Sequence, residues 1–238
     1  MNWAIAVNTW RECTRRPFAY LSVVTILALA LVSTLLRPVS FGAGAPEALN
    51  LEISSALLAS LVTAAFLGTG LVRADIERGT LSLVMSQPVG LVPYILGRFL
   101  GLFAVTLLVC SVTAAGVLGV LALLAGPRQG PLVPHALLGG MLRVVLAIPV
   151  LSTAALAFSS LTSRLFAPVL LLALFVAGDV AAEGPLGRVL PAFGLFGLEA
   201  SRSPPMGWLA LYAVFHSVVF LVITYLRLTL RAPIRTES

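Results

Sequence analysis

The chain has 238 residues, is 59% hydrophobic with a mean hydropathy of +1.06, and carries only fifteen basic and nine acidic residues. A soluble domain of this length needs far more polar surface, so the composition excludes that class and indicates an integral membrane protein. Every basic residue is Arg, which excludes lysine chemistry such as a Walker A loop or a Schiff base, and the +6 charge sits in short clusters beside apolar runs rather than in a nucleic-acid footprint.

Residues 1–17 come first. Trp3, Ala6, Val7, Trp10 and Cys13 recur at helical spacing on one stripe, while Asn8, Arg11, Glu12, Arg15 and Arg16 lie off it. Pro17 then stops the helix. The pattern predicts an interfacial amphipathic helix along the inner leaflet, with Trp anchors and arginines for the phosphates of membrane lipid. An ordinary flank with no partner is the alternative reading.

Six apolar runs follow, at 18–36, 53–72, 99–125, 136–161, 165–182 and 208–227. Each approximates the roughly 20 residues that a helix needs to cross a hydrocarbon core of about 30 Å. No segment alternates as a barrel strand would, so the predicted fold is an all-α membrane bundle, a single domain over 1–238. The fourth and fifth runs are separated only by Thr162-Ser163-Arg164, which predicts a tight helical hairpin. The first run has a rival reading as a signal peptide, with "RECTRR" as its n-region and a cleavage site at Ala43–Ala45. Its nineteen apolar residues exceed the roughly 7–15 of an h-region, so a retained span is expected.

Placing the N-terminus inside puts Arg11, Arg15, Arg16, Arg73, Arg78, Arg98, Arg164, Arg227, Arg231 and Arg235 on the cytoplasmic side. Arg37, Arg128, Arg188 and Arg202 fall outside and Arg143 within a span. This positive-inside bias predicts cytoplasmic N- and C-termini. Heavy use of Ala, Leu, Gly and Arg without Lys fits a GC-rich bacterial source. The expected location is the bacterial cytoplasmic (inner) membrane, as a multi-pass protein.

Two connections stand out. Residues 73–93 place Arg73, Asp75, Glu77 and Arg78 just beyond the second run, then Gly79 and Thr80 as a turn or cap, then a short amphipathic stretch up to Pro88. This reads as a short cytoplasmic helical element presenting acidic groups at its start, where a plain connector needs only a few polar residues. Residues 183–206 are too apolar for a free loop and too broken for a span, which predicts short helices folded back into the outer leaflet.

The runs "ERGTL" (77–81), "SQPVG" (86–90) and "YILGRFLG" (94–101) resemble the signature of ABC-2-type transporter permeases, a Glu-x-Gly-Thr-Leu…Pro…Gly-Lys/Arg pattern. "RECTRRP" at the end of the first helix, "LPAFGLFG" before the last span and the basic "YLRLTLR" extend the resemblance over nearly the whole chain. The branch linked with multicopper-enzyme maturation is the most similar. The resemblance implies an elbow helix (Trp3, Trp10, Arg11, Glu12) and a coupling segment (Asp75, Glu77, Arg78, Gly79, Thr80, Pro88). Two copies of an ABC ATPase subunit, holding ATP and Mg, would dock on these beneath two permease copies, a homo- or heterodimer, with a periplasmic or membrane accessory protein as a further partner. Glu77 would be the acidic contact for a basic ATPase surface. Gln87 and Leu91 depart from the basic residues common in relatives, so this coupling loop is less positive than usual.

Within the predicted spans, Arg143 lies about 10 Å and His216 about 12 Å from the outer end, and Asp179 closer still. These three form a candidate intramembrane polar cluster, read either as the lining or outer gate of a path or as an Arg143–Asp179 structural pair beside a hydrogen-bonded His216. Gly97 with Gly101, and Gly68 with Gly70, are expected to serve close helix packing. The two histidines, His135 and His216, and the two cysteines, Cys13 and Cys110, form no catalytic or metal spacing, and Met1, Met85, Met141 and Met206 are scattered. The expectation is a non-catalytic permease with no metal or cofactor of its own and no nucleic-acid partner. It would couple a partner's ATP hydrolysis to export or to conformational work. The alternatives are a mechanical or regulatory module without translocation, and a secondary transporter, which predicts an internal repeat and discontinuous helices that the sequence does not display.

Overall fold

The structure is a computed structural model and describes residues 3–15, 24, 45–81, 90–124, 132–181, 190–196 and 204–231. Among the described residues there are helices and no strand. In chain order they are α1 (Trp3–Thr14), α2 (Ala45–Thr63), a π-helical turn (Ala64–Gly68), α3 (Leu71–Glu77), α4 (Leu91–Leu124), α5 (Leu132–Leu161), α6 (Phe166–Ala181), a 3₁₀ turn (Phe193–Phe196) and α7 (Met206–Arg231).

Among the described residues four segments are long and apolar enough to cross a membrane: Ile53–Glu77, Leu91–Gly116, Leu138–Leu161 and Met206–Leu230. The apolar helix Phe166–Val180 is shorter. The chain therefore has the build of a membrane protein. The first predicted run, 18–36, lies outside the described residues apart from the helical Val24. The expected start of the third run is corrected by eight residues: α4 begins at Leu91, not 99, and takes in Tyr94 and Arg98. Pro93 sits in its first turn, where a missing N–H breaks no helical bond. The hairpin between α5 and α6 forms as expected, with Leu161 and Phe166 as its flanks.

α5 is the centre of the bundle and touches α2, α3, α4, α6 and α7. Its core-facing positions include Val144, Ala147, Ile148, Leu151, Ala154 and Ala155, all fully buried. α7 lies at the rim. Far less of its apolar stretch is buried than of α5. Leu211, Val214, Phe215, Val218, Val222 and Leu226 accordingly form an exposed apolar stripe, as suits a lipid-facing helix.

Between helices in lipid there is no hydrophobic gain, so small residues and hydrogen bonds decide the packing. A Cβ on Gly68 would stand 2.6 Å from Leu102 Cδ2 and 2.8 Å from Ala155 Cβ. That glycine lets the π-helical turn meet α4 and α5 at once. Buried hydroxyls close on their own helix: Ser60 donates to Ala56 O at 2.9 Å, Thr106 to Leu102 O at 3.0 Å and Thr153 to Pro149 O at 2.8 Å. Such back-bonding satisfies the hydroxyl without exposing it to hydrocarbon.

Candidate functional site

The site forms where α1, the end of α3 and the start of α4 meet. α1 crosses α4 at the two glycines of the Gly97-x-x-x-Gly101 pair. A Cβ on Gly97 would stand 2.8 Å from Ile5 Cβ, and one on Gly101 would stand 2.5 Å from Thr9 Cβ and 2.8 Å from Ala6 O. The glycines thus serve close packing, and their partner is the N-terminal helix. Of the expected apolar stripe of α1, Ala6 and Cys13 are buried in this crossing together with Thr9, while Trp3 is 69% exposed and Trp10 only half-buried. Buried positions at i, i+3 and i+7 need small side chains for so close a crossing, which tryptophans cannot supply.

That crossing brings Arg98 beneath α1. Arg98 is 6% exposed, and its guanidinium donates to Glu12 Oε2 at 2.8 Å and to Thr9 Oγ1 at 3.3 Å and is ion-paired to Asp75 Oδ2. Tyr94, one turn earlier on α4, donates its hydroxyl to the same Asp75 oxygen at 2.5 Å. One arginine thereby joins elements that lie 86 and 23 residues away in the chain. A buried arginine is tolerable only when its charge is matched and its donors are used, and here two carboxylates and a hydroxyl do most of that. Arg98 Nε is buried with no hydrogen-bond partner.

The local sequence explains how Asp75 stays inside. α3 ends at Arg78, whose N–H donates to Ala74 O at 3.0 Å. Gly79 follows with φ of +70°, a left-handed conformation that favours glycine after a helix C-terminus. That turn returns Thr80, whose hydroxyl lies 3.2 Å from both Asp75 O and Asp75 Oδ1. Ahead of α3, the break at Thr69–Gly70 leaves the Arg73 N–H without its usual acceptor, and it donates to Ser159 Oγ on α5 at 3.0 Å.

Asp75 is only 8% exposed, so its carboxylate is not presented to the cytosol as expected. It is the inward partner of Arg98. Glu77, Arg78 and Gly79 are exposed, with Glu77 held by Arg73 at 2.8 Å in an i,i+4 pair. Pro88 lies outside the described residues. Arg98 and Tyr94 were not singled out by the sequence. The available signal was helical phase: Asp75 and Glu77 stand about 200° apart on a helix and cannot share a face.

A cleft of about 830 Å³ opens beside this cluster, lined among others by Asn8, Arg11, Arg15, Arg78, Thr80 and Arg98.

The expected intramembrane cluster has different partners. Asp179 Oδ1 accepts from Gly194 N at 2.6 Å, and Tyr212 accepts from Ala192 N at 2.8 Å and donates to Leu190 O at 3.2 Å. These two side chains hold the 190–196 turn, whose Phe193 and Phe196 are fully buried. A Cβ on Gly178 would run into the Pro191 carbonyl, so that glycine admits the turn's backbone. Residues 190–196 are the described part of the expected 183–206 segment, together with 204–206. His216 Nδ1 lies 3.0 Å from Tyr212 O, and its Nε2 is buried without a partner. Arg143 Nη1 is likewise buried and unpartnered. The expected Arg143–Asp179 pair is corrected: among the described residues no ion pair joins them, because Asp179 is taken by the turn's backbone N–H.

Cys13 and Cys110 are buried and form no disulfide, and no group of three metal-ligating side chains occurs among the described residues. No protein-family model matches the sequence, and no curated protein matches it at a significant level.

Proposed function

We propose that the chain is the permease subunit of an ABC-2-type exporter. It would lie in the bacterial inner membrane with six spans and both termini in the cytoplasm, and would perform no chemistry itself. Two copies would form the core, and separate ATPase subunits binding ATP and Mg would dock on the α1 and 73–93 side. ATP-driven movement there would switch an export path.

The observation that carries this reading is the convergence on Arg98. The elbow helix through Glu12, the end of the second span through Asp75 and the start of the third span through Arg98 itself share one set of charge-assisted hydrogen bonds. A push on either cytoplasmic element would therefore move both spans as one piece. The exposed Glu77, with Arg78 and Gly79 beside it, supplies the contact surface in this reading; Asp75 and Thr80 hold it in place behind.

The test is affinity purification of the tagged chain from its own host, wild type beside Glu77→Arg, with bound proteins identified by mass spectrometry and ATP hydrolysis assayed. Losing the Arg73–Glu77 pair costs only about 0.3–0.5 kcal/mol, so the variant should fold. The expected result is a stoichiometric ATPase with wild type that is absent or uncoupled with Glu77→Arg. If wild type captures no ATPase across several detergents, the reading fails.

A further inference from the structure

The cleft beside Arg98 has a charge pattern that the ion cluster does not consume. Asp75 and Glu12, the acidic groups on its wall, are both engaged by Arg98. Arg11, Arg15 and Arg78 line the same space, are exposed, and make no ion pair among the described residues. The buried Arg98 Nε, unpartnered, lies on a side chain of the same lining. Asn8 and Thr80 add neutral hydrogen-bonding groups. Three uncompensated guanidinium groups around one cavity call for an anion with several oxygens, which Arg binds bidentately.

Position decides what kind of anion. The cleft lies where the apolar segment Ile53–Glu77 ends and Leu91–Gly116 begins, at headgroup depth for any bilayer these helices cross. Its rim includes Ala4 and Ile5, next to the exposed Trp3, and Val92 at the start of α4 is 51% exposed. Exposed Trp and aliphatic side chains beside arginines form the pattern of a membrane interface, where rings lie among headgroups and cations reach phosphates. At about 830 Å³ the cleft is within the usual size of a small-molecule site and holds far more than a bare phosphate.

We propose that this cleft is a binding site for the phosphate headgroup of an anionic phospholipid, held by Arg11, Arg15 and Arg78 between the N-terminal helix and the Gly79–Thr80 turn. A lipid bound there bridges the same two elements that Arg98 joins from behind. The site goes beyond general attraction of basic residues to a membrane; it shares Arg78 with the surface proposed above for the ATPase, but its test reads lipid binding alone and does not rest on that reading.

The test uses the full chain, purified and delipidated. Native mass spectrometry follows binding of phosphatidylglycerol, phosphatidylcholine and inorganic phosphate to wild type, to Arg11→Gln/Arg15→Gln and to Arg164→Gln. Arg164 is an exposed arginine of the α5–α6 hairpin outside the cleft, and so serves as the control. Wild type should prefer phosphatidylglycerol to phosphatidylcholine. Each arginine near a phosphate is worth about fivefold, so the double variant should lose roughly twenty-five-fold in affinity while Arg164→Gln stays close to wild type. Equal losses in both variants, or no headgroup preference, would overturn the site. Displacement of the lipid by millimolar inorganic phosphate would overturn the lipid assignment in favour of a free anion.

A second measurement leaves every arginine in place. The tryptophans are Trp3, Trp10 and Trp208, so a Trp208→Phe chain reports only from α1. Brominated phosphatidylglycerol should quench that fluorescence at lower mole fraction than brominated phosphatidylcholine. Identical quenching curves would sink the proposal.

Discussion

The two ends of the bundle use their polar side chains in opposite ways. At the α1 end, charge meets charge across elements: Arg98 with Asp75 and Glu12. Near the end of α6, side chains meet backbone: Asp179 with Gly194 N, and Tyr212 with Ala192 N and Leu190 O. The first arrangement depends on several helices holding their relative positions. The second needs only that one turn be seated against α6 and α7. The difference teaches that buried polarity in this chain has two roles, fastening helices to each other and fastening a broken segment to helices.

The sharpest way to break the comparison is at Arg98. Arg98→Leu leaves Asp75 buried opposite Tyr94 with its charge uncompensated, and should cost about 3–5 kcal/mol in denaturant unfolding in mixed micelles. Arg98→Lys should recover part of that, since a single ammonium cannot reach both carboxylates as the guanidinium fork does. Gly101→Val comes next. Its side chain would meet the backbone of Ala6, which cannot move alone, and overpacking of this kind costs about 1–3 kcal/mol. In a Cys110→Ala background the detached helix should expose the buried Cys13 to maleimide, where the parent chain resists labelling.

Tyr212→Phe tests the other end. It strips the acceptor from Ala192 N and should cost about 1–2 kcal/mol, with faster hydrogen exchange confined to 190–196. Arg98 variants should leave that exchange unchanged if the ends are energetically separate. The smallest effect belongs to Glu77→Gln. The exposed i,i+4 pair with Arg73 is worth about 0.3–0.5 kcal/mol, measurable only as a slight shift in unfolding midpoint.

Helix positions were largely legible in the sequence. The run at 165–182 is α6 at Phe166–Ala181, because a polar tripeptide on one side and the loss of apolar residues on the other leave little choice. The faces were less legible. The apolar stripe of α1 read from the sequence holds Trp3, Ala6, Val7, Trp10 and Cys13, and the close crossing at Gly97 and Gly101 buries only its small members, Ala6 and Cys13, and adds Thr9. Arg98 reads in sequence as a flanking arginine, since nothing local says that α1 folds over it. Arg143 and Asp179 have complementary charges, yet the nearby turn supplies Asp179 with a backbone partner, and a sequence carries no distance between them.

The π-helical turn at Ala64–Gly68 has a consequence for chain length. Closing its hydrogen bonds over five residues rather than four, it stores one residue more than an α-helix would in the same space. It therefore acts as a reservoir for register. Deleting the half-exposed Phe66 should convert the turn to α-helix and keep Asp75 aimed at Arg98. Deleting Ala59 instead would turn everything downstream by about 100° relative to α2 and carry that carboxylate out of reach. Single-residue length changes in this span should thus be absorbed at one place and lethal to the ion cluster at most others.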